Sequence, residues 1–499
     1  MTKLKEPLAF IFCIPLLFLC CQDQWDEHTR LNDDVAQYNI MELISNNPEL
    51  SAFKGYLEST DWDVMLVATK SYTVWVPDNN AMTEVGTDIL NDSVKLENFV
   101  ANHICYTRVS YYSNVELQKV KTFSGKYITV DNQNGKVDNA SLKQPYDILA
   151  NNGILHVIDK PLTPKPNLWE FIETTELCPK YVGYLNSLTG MVFDPTLAIP
   201  TGVDPVTGKP VYDTASGMVW NNTFIEYIRD LRREELNSTV VLITDNVFDE
   251  EFNRFSKYFD LRNVLLTDSL TKWQIAKDLV FDGKLSLSDI QDTLISLYQV
   301  KVPFDKNAIE HTFEASNGIA FVLSSCAIRL EDKIYPVYIQ GEDTTRIIYV
   351  GNNGQTGYTR EKEEAMDGYD FILDNHNANP GNIKYYAGKV CATTYKFYWK
   401  AVNDFNASYR NPNPDLTLIQ KLQKVEVTGV IGDELQFGPP VAISPDTVYI
   451  SDTLYATAQE VFLGQFLFSR YQDLWLQVTG SGNNTTITLD YLKLVPVFE

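Results

Sequence analysis

Apolar residues recur at helical spacing in three stretches: Leu50, Phe53 and Leu57; Leu96, Phe99, Val100 and Ile104; and Phe224, Tyr227, Ile228 and Leu231. Each predicts a helix with one buried face. β-Branched runs alternate with them, and three segments occur twice in the same order. Asn39–Ile44 (Asn-Ile-Met-Glu-Leu-Ile) is echoed by Asn167–Ile172 (Asn-Leu-Trp-Glu-Phe-Ile), in each case a capping residue followed by a helical apolar pattern. Tyr72–Asn79 is echoed by Thr239–Asn246, both reading as a strand that runs into a turn. Ala150–Ile158 is echoed by Ala315–Leu323, where an Asn-Gly turn launches a buried strand.

The spacing is kept as well as the order. Asn79 and Asn152 are 73 residues apart, and Asn246 and Asn317 are 71 apart. Self-similarity at fixed spacing marks two copies of one structural unit. The first copy resembles the fasciclin-type domain, with Thr73–Met82 covering the family's first motif and Asn151–Asp159 its second. His103 falls where that family carries the histidine of its short Tyr-His segment. The second copy departs from the pattern: Thr244 replaces the proline of the first motif, and Phe321 replaces the histidine of the second. It also holds 39 extra residues between its first two segments, with Pro195, Pro200, Pro205 and Pro210 marking a loop excursion that can turn as a hairpin at Thr207-Gly208. The resemblance implies a compact β-wedge edged by helices. Asn134-Gly135, between Tyr127–Val130 and Lys136–Asp138, supplies a hairpin signal consistent with it.

From about Ile334 short alternating strands take over, among them Tyr395–Trp399, Val425–Val427, Leu474–Val478 and Thr486–Tyr491. Their spacing predicts a β-sandwich. The closing Leu489–Pro496 resembles the last strand of galactose-binding-like jelly rolls. The expected fold class is therefore α+β: two tandem fasciclin-type domains, 37–165 and 166–332, the second with a loop insertion near 179–236, followed by an all-β sandwich at 333–499.

The N-terminus adds an address. Lys3 and Lys5 precede an apolar run from Leu8 to Leu19, the length of a signal-peptide core and too short to span a bilayer. The run ends on Cys20-Cys21, which resembles a bacterial lipoprotein signal. That resemblance implies removal of residues 1–20, lipid (palmitate) on Cys21, a tether at 21–36 and display at the outer membrane, facing outward. Cys21 is preferred over Cys20 because the residue before the cut should be small, and Leu19 is not.

Composition narrows the function. Acids outnumber bases 65 to 41 in the 499 residues, a net charge of -24, which argues against nucleic acid and against adsorption to anionic lipid. Membrane contact then falls to the lipid, and the remaining partners are a protein or glycan ligand at the cell surface. Cys105, Cys178, Cys326 and Cys391 lack any C-x-x-C spacing, so lone buried thiols are expected rather than a zinc site, with a disulfide as the alternative. Five histidines stand in no paired-ligand spacing, and no nucleophile elbow or phosphate loop is present. No cofactor, metal or catalytic set is expected, so the chain reads as a non-enzyme. Acidic turns at Asp131, Asp138 and Asp374–Asn377 lack the spacing of a calcium loop.

The candidate binding residues follow. By resemblance to a family linked to adhesion, Asp78, His103 and His156 are the positions of interest in the first copy, although apolar neighbours favour core roles for them. In the third domain Tyr395, Phe397 and Trp399 share one strand face, either a sugar-stacking platform or the inner face of a sandwich, and Trp475 carries the same ambiguity. The leading expectation is a lipid-anchored adhesion or protein-contact module. The alternative is an accessory glycan-binding lipoprotein of a polysaccharide uptake system, with the sandwich holding the saccharide.

Overall fold

The computed structural model describes residues 37–67, 71–350, 356–374, 382–401, 418–426, 450–454, 460–480 and 486–498. Cys21, the signal and the tether lie outside the described residues, as do Val427 and Asn375–Asn377. Contacts divide the chain into two compact units: 1–174 with 230–238 and 313–320, and 175–229 with 239–312 and 321–499.

The first unit is organised by a seven-stranded sheet in the order Ile104–Cys105, Tyr72–Pro77, Gly153–Ile158, Ala140–Ala150, Lys136–Val137, Tyr127–Asp131 and Leu117–Lys121. Its centre is a parallel pair, Tyr72–Pro77 beside Gly153–Ile158, with Trp75 opposite His156. Strand Tyr72–Pro77 is buried along its whole length. Side chains alternate across a strand, so Tyr72, Val74 and Val76 enter one core with Ile40, Phe53, Leu57 and Phe99, while Trp75 enters a second with Val120, Ile128 and Val137. The Asn134-Gly135 hairpin forms as expected, with Gly135 at φ +63.

Two glycines explain the repeated Asn-Gly. A Cβ on Gly153 would stand 2.0 Å from the Tyr72 carbonyl oxygen, and one on Gly318 would stand 2.0 Å from that of Ser238. Each glycine is needed for backbone approach to the neighbouring strand. The asparagine before it serves the helix that opens the repeat. Asn152 Oδ1 accepts from Ile40 N at 2.9 Å, and Asn317 Oδ1 accepts from Leu168 N at 2.9 Å. Helices Ile40–Ser45 and Leu168–Thr174 also carry the same reciprocal cap, Asn39 with Glu42 and Asn167 with Glu170. The two copies thus repeat in geometry what they repeat in sequence.

A four-stranded sheet runs Val280–Asp282, Ser238–Ile243, Gly318–Leu323 and Ile309–Ala315. The predicted helix at Phe224–Leu231 is a single short segment, Thr223–Tyr227, capped by Asn222. The excursion does turn at Gly208, φ +68, between strands Pro200–Val203 and Pro210–Tyr212. A second ribbon that the sequence did not announce, Thr189–Phe193 with Met218–Asn222, carries it. Beyond Ile334 the strands form sheets of four, five and three strands. They enclose a core of Tyr385, Tyr395, Phe397, Trp399, Leu474, Leu476 and Leu494 among others. The fold is mixed α+β with a β-sandwich, as the pattern predicted. Among the described residues no helix is long and apolar enough to cross a membrane.

Candidate functional site

Asp78 ends strand Tyr72–Pro77 and caps the short helix Asn79–Met82, its Oδ1 accepting from Ala81 N at 2.8 Å. Its other oxygen pairs with Lys143. Burial alone would raise its pKa, but the Lys143 ammonium and the Ala81 amide outweigh that and hold the carboxyl below its usual value.

His103 is fully buried. Its Nε2 accepts from Leu162 N at 2.9 Å, so the proton sits on Nδ1, which donates to Phe99 O at 2.8 Å. Burial pushes its pKa down to about 4, and the ring stays neutral. Asn102 beside it donates from Nδ2 to Leu162 O at 2.8 Å. Two consecutive side chains therefore clamp both backbone groups of Leu162. His156 stacks on Trp75, 6.0 Å between centroids, and its Nε2 donates to Val109 O at 2.9 Å. Burial lowers its pKa against the opposing pull of Val109 and Asp147. Among the described residues its Nδ1 and Trp75 Nε1 are buried without partners. Among the described residues no hydrogen bond or ring contact links the three to one another; each joins separate strands and loops of the domain.

Tyr395 and Trp399 are each 1% exposed, facing the sandwich core. Tyr395 Oη accepts from Cys391 N at 3.0 Å. Neither ring is offered to solvent. Trp475 points the other way, because it alternates with the buried Leu474 and Leu476 on strand Gln472–Gly480. Opposite it on strand Asn382–Val390 stands Tyr386, ring centroids 4.6 Å apart. Lys384 lies 5.5 Å from the Trp475 ring centroid, and Asp473 accepts from Tyr386 Oη at 2.6 Å. Among the described residues Trp475 Nε1 is buried without a hydrogen-bond partner. This outer-face group of Tyr386, Trp475, Lys384 and Asp473 joins one predicted residue to three that sequence reading missed. Register was the missing information, since alternation says which residues share a face but not which strand lies opposite.

A cleft of about 530 Å³ in the first unit is lined by Asp88, Lys95, Asn98, Ser124, Lys126 and Glu170 among others. Lys126 is engaged there at 2.7 Å from both Glu170 and Glu234. None of the predicted site residues lines it. Cys105, Cys178, Cys326 and Cys391 are free and buried, and burial pushes their thiols up to about 11 for Cys105 and about 12 for the other three. They are poor nucleophiles. Among the described residues no group of three or more His, Cys, Asp or Glu could hold a metal ion. Asp131 is spent on Asn134 within its own turn.

Comparison with known proteins gives residues 48–164 as a match to the Fasciclin domain. The chain is 27% identical to human periostin over 158 residues, 30% of this chain and 19% of that protein. The chain thus spans about a fifth of the length of this curated relative. Similar solved structures include a FAS1 domain pair from the insect cell adhesion molecule fasciclin I, with 14% identity, 57% of this chain and 99% of that one covered, TM-score 0.23. A family 35 carbohydrate-binding module from Clostridium thermocellum shows 12% identity over 33% of this chain and 99% of that one, TM-score 0.20. The CBM22-1 xylan-binding domain of Paenibacillus barcinonensis Xyn10C shows 11% identity over 32% and 95%, TM-score 0.21.

Proposed function

We propose that this chain is a non-catalytic binding protein of the cell envelope, tethered by lipid at Cys21 and making protein contacts through two fasciclin-type domains. The observation that carries this reading is the fasciclin match over residues 48–164, a domain in which Asp78, His103 and His156 are all consumed in holding the fold together. What remains for function is surface rather than a reactive centre. The shared Asn152 and Asn317 cap geometry supports a second domain of the same kind. The Lys-flanked apolar run ending at Cys21 supports lipid attachment and outward display.

One observation favours a second reading, in which the sandwich holds a saccharide. Tyr386 and Trp475 form a half-buried aromatic pair on the outer face with Lys384 and Asp473 beside it, a stacking surface with polar neighbours that suits a sugar ring. One comparison separates the two readings. The chain from Gln22 onward is passed over immobilised envelope and matrix proteins and, separately, over a polysaccharide panel. Retention on protein alone supports adhesion. Retention on a polysaccharide that Trp475→Ala abolishes supports the glycan reading, and retention on neither overturns both. Incorporation of labelled palmitate, lost in Cys21→Ser, tests the anchor.

A further inference from the structure

The excursion within residues 189–222 exposes a group of large apolar side chains. In the ribbon formed by Thr189–Phe193 and Met218–Asn222, Met218 stands opposite Phe193 and Trp220 opposite Met191. With a period of two along each strand, these four side chains share one face. All four are exposed, Trp220 at 71%, while Val192 and Val219 on the other face are half-buried. Leu197 and Ile199, exposed at 61% and 62%, add apolar side chain in the segment that follows Phe193. At about 200 Å² for a large apolar side chain, the six leave on the order of 600 Å² exposed, the upper end of the largest apolar patch on a typical monomer.

We propose that this arm is a self-association surface and that its occupant is the same arm of a second copy. Three observations select that occupant. The face carries no charged side chain. The carboxylates around it are engaged within their own turns: Asp194 with Thr196, Asp204 with Val206 and Thr207, Asp213 with Ala215. Nothing on the face calls for a charged partner. Among the described residues the ribbon is a two-stranded sheet with both outer edges unpaired, a unit of marginal stability in water until a further layer covers it. About 600 Å² from each of two copies gives on the order of 1,200 Å² in total, the lower end of specific interfaces. A two-fold pairing is isologous, so one apolar face is complementary to itself. Trp220, the largest and most exposed ring of the face, anchors it. This inference stands apart from the adhesion and glycan readings, since it needs neither domain to bind anything else.

Sedimentation velocity on the chain from Gln22 onward, which keeps every described residue, tests the proposal over a concentration series at low and high salt. A reversible monomer–dimer equilibrium is expected, tightening as salt rises because two strongly acidic copies repel until screened. Trp220→Ser with Met191→Ser is expected to weaken the dimer by about tenfold or more, and Val206→Ser at the tip of the outer hairpin to leave it unchanged. Far-UV circular dichroism checks that the variants are folded. A photoreactive residue at position 191 of the otherwise intact chain is expected to crosslink to residues 189–222 of a second copy. A chain that stays monomeric at every concentration overturns the proposal and frees the face for a different partner. A dimer that survives the double variant, or crosslinks that map elsewhere, overturns it too.

Discussion

Histidine 103 illustrates how a residue that invites a functional reading is absorbed by the fold. With both ring nitrogens engaged and the ring fully buried, it remains neutral down to a pKa of about 4, against an ordinary value of 6.5. Above pH 6.5 neither the folded nor the unfolded state carries the proton, and the neutral ring is fully accommodated. Between 6.5 and 4 the unfolded state binds a proton that the folded state refuses, so stability falls as pH falls, by about 3 kcal/mol across that window. Denaturant unfolding of the chain at pH 7 and pH 4.5 should show the loss. His103→Gln, which cannot titrate, should be weaker at pH 7 but lose less on acidification. Gly153 makes a second residue-scale prediction. Gly153→Ala forces a Cβ against the Tyr72 carbonyl and is expected to cost about 3 kcal/mol. Gly125→Ala meets nothing within 4 Å and carries only its positive φ of +86, costing about 1 kcal/mol.

Secondary-structure elements were legible where a local rule decided them. The caps at Asn39 and Asn167 and the hairpin at Asn134-Gly135 could be read from neighbours a few residues away. The ends of helices decided by packing could not: Phe224–Leu231 keeps helical spacing, yet only Thr223–Tyr227 forms, with a five-residue helix too short to hold itself without tertiary support. Nor could sequence show that Asn152 caps a helix 112 residues away. That long-range bond makes an element-scale prediction. Asn152→Ala leaves Ile40 N without its acceptor, at a cost of about 1–3 kcal/mol. Hydrogen exchange should quicken in Ile40–Ser45 and leave Leu168–Thr174 unchanged, and Asn317→Ala should do the reverse.

For the molecule as a whole, the second unit is joined internally by a buried charge cluster that no motif announces. Lys333, on the short helix Leu330–Lys333 before the sandwich strands, pairs with fully buried Asp278, which also receives Lys277 at 2.7 Å. Burial lowers the Lys333 pKa against the pull of Asp278. The partners are unequal, because Asp278 keeps Lys277 when Lys333 is lost, whereas Lys333 loses its ion-pair carboxylate when Asp278 is removed and keeps only the weaker pull of Glu251 among the described residues. Asp278→Leu is therefore expected to cost about 4 kcal/mol and Lys333→Met about 2, with the double variant close to neutral. Thermal unfolding of the three variants checks the order. Sequence by itself determined the caps, the Asn-Gly hairpin, the repeated order of segments and the fold class, because capping, alternation and turn chemistry act over a few residues and the repeat is written in the chain. Only tertiary structure decided which aromatic rings are core and which face outward, that Asn102 and His103 clamp Leu162, and that the excursion leaves an uncovered apolar face. Those outcomes depend on strand register and on contacts between residues tens to hundreds apart, and burial, the quantity that separates a packed Trp399 from an exposed Trp220, exists only once the layers are assembled.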